Sequence, residues 1–423
     1  MVPQSDVLVL RELAKQVADL AVCRENEQKR KGWYDINDLK PNTLPRFMFH
    51  LWQISTPEIF PQSSYRCQSE DGRRYELELA QRLFYFLDLK DDNVVEPVVY
   101  YRPEFELIPF PELAFAQHKN EDGGQGSYEI VPTIVTYKDG EKLNCDPVLK
   151  YDRELSDIKL NEAREIFEPI LTVVKSPVQA AAKIIDEFSW LRGMAQSYID
   201  MIDEPEWMGQ CLQWITNNFI KRFKLLESAG LWGTTDLSAP LGSAGLMYIS
   251  GMKDWRDEAD PAHPSISLAD SWGFTCAELL TCCGSNQHDE FSFAYDRQVM
   301  SLFKHINVGC CEVLDKKIQL LSKLGNTRKV SVSEWCDPEL AAEGIGSKYV
   351  YSYRSAGVPF IGDPWDRETS EKELRSVLLA ARKHDCPLEI VMNIGGTFGQ
   401  GNARRKALEW SDLVRGLIQE IYG

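Results

Sequence analysis

Apolar residues recur at nearly helical spacing from Val7 to Cys23, where Val7, Leu10, Leu13, Val17, Leu20 and Val22 share a face. This spacing predicts an amphipathic opening helix, broken by the run Lys29-Arg30-Lys31-Gly32. After Pro45 the pattern changes. Arg46 to Ile54 is aromatic and apolar, which predicts the first core strand, with His50 and Trp52 towards its carboxyl end. A helix over about 74–87 leads to a second strand, Val94 to Tyr101, despite Pro97. Pro169 to Val174 predicts a short buried strand, followed by helical stretches from Val178 to Ile202 and from Glu206 to Ala229, with Glu204 and Pro205 at the start of the second.

Beyond the glycine-rich segment Gly242 to Gly251, strand and helix alternate to the C-terminus. Strands are expected near His305–Gly309, Lys329–Ser333, Tyr349–Tyr353 and Leu388–Asn393. Four such units in series imply parallel strands with crossover helices, hence a closed eight-stranded barrel or an open doubly wound sheet. No Gly-x-Gly-x-x-Gly follows a strand, which counts against dinucleotide binding. From Pro103 to Tyr151 the pattern weakens. Glu121-Asp122-Gly123-Gly124 and a hairpin expected at Lys138-Asp139-Gly140 mark an insertion.

The 423 residues, 43% of them hydrophobic, are enough for a large core, and barrels with insertions reach this size as one domain. The formal charge of -17, without any basic run, repels nucleic-acid phosphate and anionic lipid. No apolar stretch approaches the roughly 20 residues of a membrane span, and the N-terminus lacks a signal peptide's apolar core, so a cytoplasmic protein is expected. In that setting the eleven cysteines are thiols or metal ligands rather than disulfides, and their odd number agrees.

Two runs give the chain a resemblance: Gly309-Cys310-Cys311-Glu312 with Leu314-Asp315, and Arg328 to Ser333. With Trp33 to Trp52, Asp203 to Glu206, Asp270 to Phe274 and His288 to Phe291, they make most of the chain similar to the uroporphyrinogen decarboxylase-like superfamily. Within it, the chain resembles the methyltransferases of corrinoid-dependent O-demethylase systems. The resemblance implies a single (β/α)8 TIM-type barrel over 1–423, with an N-terminal helical extension over 1–44 and a loop or hairpin insertion over 103–151. It also implies transfer of a methyl group from a small methylated substrate, such as an aryl methyl ether, to cobalt. The cobalamin would be carried by a partner corrinoid protein, because no Asp-x-His-x-x-Gly segment is present here.

The chain departs from the family pattern at Asn393, where an Asp is expected, and in the Gly395-Gly396-Thr397 that follows. Only Arg46 stands where a porphyrinogen decarboxylase would be arginine-rich, which disfavours that reaction. A decarboxylase acting on another substrate and a non-catalytic ligand-binding barrel remain the alternatives.

Active sites of such barrels lie at the carboxyl ends of strands. Cys310, Cys311 and Glu312 sit there, and two thiols with Glu290 as an oxygen ligand make a zinc site that would polarise an ether oxygen. The same thiols also fit as small buried apolar residues. Neighbours on a strand face opposite ways, so both reach one ion only if the chain turns, and Gly309 permits the turn. For Cys282-Cys283 core packing is the better reading. Substrate contacts are expected from His50, Trp52, Trp272, Phe274, His288 and Asn393, with His288 equally a solvated loop residue and Trp272 and Phe274 equally barrel filler. Arg192 is either a carboxylate anchor or a surface ion pair.

Overall fold

The computed structural model describes residues 2–51, 56–113, 116–119, 128–178, 180–233, 237–362, 364–394 and 402–423. The fold is α/β. The first strand, β1 (Arg46–Leu51), precedes β2 (Val98–Tyr101), and the segment 103–152 then adds β3 (Glu104–Ile108), β4 (Ala116–Lys119), β5 (Tyr128–Val131) and β6 (Val148–Asp152). These four form two antiparallel pairs, β3 with β6 and β4 with β5. The remaining strands are β7 (Thr172–Lys175), β8 (Ala181–Ala182), β9 (Trp272–Thr275), β10 (His305–Val308), β11 (Thr327–Val332), β12 (Val350–Arg354) and β13 (Leu388–Ile394). Seven strands form one sheet in the order β1-β13-β12-β11-β10-β9-β8, every pairing parallel, and β2 with β7 makes a separate parallel pair.

Both faces of this sheet are covered, as parallel sheets require. Phe47, Phe49, Val330, Val332, Tyr351, Ile390 and Met392 pack into the large core shared with the helices. The alternate positions Met48, Trp272, Phe274 and Val391 face a different partner, Leu237 and Leu241 to Ile249 of the chain's own glycine-rich segment. That segment runs against the inner face as a plug. A fully buried ion pair fixes it: Lys329 Nζ lies 2.6 Å from Glu389 Oε2 and donates to the Leu246 carbonyl at 2.7 Å. The other carboxylate oxygen accepts the Gly245 N–H at 2.6 Å. A Cβ at Gly245 would come within 2.5 Å of the Trp33 ring, so only glycine lets the plug approach this closely.

The N-terminal helix is Gln4–Ala21, and the basic run does not end helical structure. Instead a second helix, Arg24–Asn37, contains it. Lys29 lies over the Phe86 ring at 3.9 Å, and the Arg46 side chain occupies the space above Gly32, so packing makes the segment helical. Asn37 of this helix donates to the carbonyls of Leu246 and Tyr248 and ties it to the plug. The expected hairpin at Asp139-Gly140 is a 3-10 run, Tyr137–Leu143. The Asp139 carboxylate accepts the Thr136 N–H and hydroxyl, both at 2.8 Å, which nucleates a helical turn. Gly140 serves packing there, against Trp207 and Cys211. No helix among the described residues is long and apolar enough to cross a membrane.

Breaking a buried ion pair from one side costs about 3–5 kcal/mol. Lys329→Met is expected to lose about that much unfolding free energy in a denaturant titration. The double variant Lys329→Met/Glu389→Gln, which keeps an acceptor for Gly245 without a stranded charge, should recover part of it.

Candidate functional site

The turns that follow β9 and β10 meet at the carboxyl end of the sheet. Strand β10 stops at Val308, and Gly309 adopts φ +96° with its N–H donating to the Thr275 carbonyl at 2.9 Å. A Cβ on Gly309 would press within 2.8 Å of the Ser331 carbonyl and 2.5 Å of Leu314, so both backbone angle and space demand glycine. The turn it makes brings the sulfurs of Cys310 and Cys311 to 3.6 Å. From the β9 turn Glu278 joins them, and the three ligand atoms lie within 4.8 Å of one another.

Both turns are pinned by buried carboxyl groups. Glu312 accepts the N–H of Cys310 at 2.8 Å and of Ala277 at 3.0 Å, tying one turn to the other. Asp186 accepts the N–H groups of Leu279 and Glu278 at 2.9 and 3.1 Å, holding the backbone that carries Glu278. Burial pushes Asp186 up to about 6 and Glu312 up to about 7.

Two cations face the group. Arg354, at the end of β12, donates to Cys311 Sγ and lies 3.9 Å from Cys310 Sγ. Lys183 Nζ lies 3.7 Å from Glu278, and although burial opposes its charge, Cys276, Glu278, Cys310 and Asp186 together push its pKa up. The hydrogen bond between the two thiols, aided by Arg354, pulls Cys311 down, whereas Cys310, with Ser243 Oγ 2.8 Å from its sulfur, is pushed up. The two sulfurs and the Glu278 carboxylate face one another, a donor set suited to a cation.

Two thiols and a carboxylate suit zinc, with a fourth position left for substrate or water. Tetrahedral zinc with sulfur at about 2.3 Å needs its sulfurs roughly 3.8 Å apart, close to the spacing found. Cys310, Cys311 and Glu278 fit the ion.

The other residues singled out in the sequence are dispersed. Glu290 is exposed, on the helical segment Asp289–Phe293 away from the thiols, and Glu278 stands where it was expected. Glu312 organises the two turns through its hydrogen bonds and is not among the three grouped ligands. His288 is buried, not solvated: it packs on Phe293 with ring centroids 4.8 Å apart and lies 3.3 Å from Lys317 Nζ, and burial pulls its pKa down to about 3. His50 and Asn393 are register partners on β1 and β13 and therefore neighbours. His50 and Trp272 also line a cavity of about 680 Å³, whereas Phe274 packs on Gly242 of the plug. Trp52 and Gly395 to Thr397 lie outside the described residues. Arg192 forms a buried rather than a surface ion pair: it lies against Asp200 at 2.7 Å and donates to the carbonyls of Ile134 and Val135. Cys282 is exposed, against the expectation of core packing, while Cys283 packs partly against the core.

Sequence reading missed Glu278, Arg354, Lys183, Asp186 and Ser243. The positional rule for strand ends would have found Arg354, directly after the strand expected at Tyr349–Tyr353, and also Glu278, had Trp272 to Thr275 been assigned as a strand. No local pattern marks Ser243, which arrives through the plug.

No protein-family model matches the chain, and no curated protein matches it. Among solved structures it is similar to one described as a methyltransferase from Methanosarcina mazei, with 11% identity and a TM-score of 0.50, over 93% of this chain and 99% of that one. A likeness at that identity speaks for the fold.

Arg354→Met removes the cation beside the thiols, so in the metal-free chain Cys311 should lose thiolate character. Alkylation of the Cys310-Cys311 peptide near pH 7, followed by mass spectrometry, should slow by about threefold or more. A pH dependence of stability is also expected from Asp296, held by Thr275 at 2.8 Å and by Ser292, and pushed by burial from 3.8 up to about 7. Between those values the folded chain keeps a proton that the unfolded chain has lost, so this contribution to stability falls as pH rises through the window. Asp296→Asn should flatten the slope of unfolding free energy measured from about pH 4 to about pH 8.

Proposed function

We propose that the chain is a methyltransferase on an eight-stranded (β/α) barrel, working at a zinc ion held by Cys310, Cys311 and Glu278. One observation carries this reading: two thiols and a carboxylate converge at the carboxyl ends of parallel strands, where enzymes of this architecture place their chemistry. The methyl donor is a small methylated substrate such as an aryl methyl ether, and the acceptor is the cobalt of a partner corrinoid protein. The Gly309 to Glu312 run and the likeness to a methyltransferase structure support the reaction class.

Bound zinc would supply a Lewis acid that draws charge from the substrate oxygen as its bond to methyl weakens. The chain's own residues prepare the place. Arg354 donates to Cys311 and favours its charged form, Ser243 orients Cys310, and Asp186 and Glu312 hold the two turns in register. Lys183, kept charged by its acidic neighbours, is an ammonium beside Glu278 that can hydrogen-bond an anionic leaving oxygen.

Elemental analysis of the purified protein should find about one zinc per chain, and Cys310→Ser and Glu278→Ala should each reduce it. Demethylation assayed with a corrinoid partner should be lost with the metal and return on adding zinc. Full activity in a chelator, with no metal bound, would remove the zinc from this reading.

A further inference from the structure

Strands β1 and β2 are not hydrogen-bonded to each other among the described residues. Their facing edges are satisfied by side chains instead. On β1, the N–H groups of Phe47, Phe49 and Leu51 donate to Asp92, Asp91 and the Tyr85 hydroxyl at 2.9, 2.8 and 3.1 Å. On β2, Arg82 donates to the Val98 carbonyl, and Glu78 accepts the Tyr100 N–H at 3.3 Å. An unpaired edge normally costs hydrogen bonds or invites another strand. Here it is capped residue by residue, and the space left between the strands is a cavity of about 680 Å³.

The cavity reaches from inner-face residues such as Met48 and Trp272 to the helix Glu70–Leu83 on the outside. Its charge runs against that of the chain. Three guanidinium groups, Arg74, Arg82 and Arg102, face one carboxylate, Glu78, in a protein of formal charge -17. Glu78 is already committed to Arg82 at 2.8 Å. Arg102 is exposed at the rim and makes no hydrogen bond or ion pair among the described residues, and Arg74, stacked on the Tyr75 ring at 4.0 Å, has Asp71 as its ion-pair partner at 3.7 Å. The rest of the lining is largely aromatic and apolar, including Trp232 and Trp272. Trp272 Nε1 is buried without a hydrogen-bond partner among the described residues, a donor left for something else.

We infer that the β1/β2 cleft is a binding site for a small organic anion, whose aromatic body lies between the strands and whose charge meets Arg102 and Arg74. A planar carboxylate suits two guanidinium forks, and an aromatic ring suits the indole walls. The site goes beyond the proposed reaction and does not need the metal, so binding is measured with chelator present. A failure of the zinc reading would leave it untouched.

The test is titration of the full chain with benzoate, its neutral isostere benzamide, and inorganic phosphate, read by calorimetry and by quenching of tryptophan fluorescence. Benzoate should bind at least about tenfold more tightly than benzamide, with phosphate weaker than benzoate. Arg102→Ala should weaken benzoate by about tenfold or more and leave benzamide and the melting temperature unchanged, and adding Arg74→Ala should weaken benzoate further. Because Arg102 is exposed and has no ion pair among the described residues, the single variant should fold even if the double does not. Equal binding of benzoate and benzamide, benzoate binding unaffected by Arg102→Ala, or no benzoate binding at all would overturn the inference.

Discussion

The buried pair of Lys329 and Glu389 holds the molecule's working arrangement together. Neither side chain touches solvent, and each gives its spare hydrogen-bonding capacity to the same stretch of backbone, the Gly245 N–H and the Leu246 carbonyl. Burial alone would neutralise such a lysine, and it does pull the pKa of Lys329 down, so the carboxylate beside it is what keeps the charge tolerable. With those two contacts made, the glycine-rich segment is fixed on the inner face. Leu241 then accepts from Asn307 at 3.0 Å, Gly242 packs on Phe274, and Ser243 reaches Cys310. A constraint near the amino ends of β11 and β13 thus reaches the thiols after β10.

Electrostatics divides the interior into two regions. Around the thiols, Asp186, Glu278 and Glu312 form an acidic surround relieved by Lys183 and Arg354, a setting that favours a bound cation. In the β1/β2 cleft the balance reverses to guanidinium groups, a setting that favours an anion. The plug lies between them. Leu241 lines the cleft, while Ser243 touches Cys310 only two residues later.

Much of the sheet was legible in the sequence. The strands expected near His305, Lys329, Tyr349 and Leu388 are β10 to β13, because each is a short apolar run followed by a polar stretch that cannot stay in the core. The basic run in the second helix was misread because its packing on Phe86 and its place under Arg46 come from distant residues. The thiols were visible as a motif, and Gly309 as the device that turns them. Their carboxylate partner was not, because Glu290 lies nearer the thiols in sequence, whereas Glu278 is placed by Asp186, ninety-odd residues away along the chain. Ser243 likewise belongs to the site through tertiary contacts alone.

The ion itself offers the most direct test. Zinc K-edge X-ray absorption on the metal-loaded protein reports which atoms surround it. We expect a first shell of two sulfurs at about 2.3 Å with oxygen neighbours at about 2.0–2.2 Å, reduced to one sulfur in Cys311→Ser. A shell without sulfur, or one unchanged by that substitution, would contradict the assignment of Cys310, Cys311 and Glu278 as the working centre.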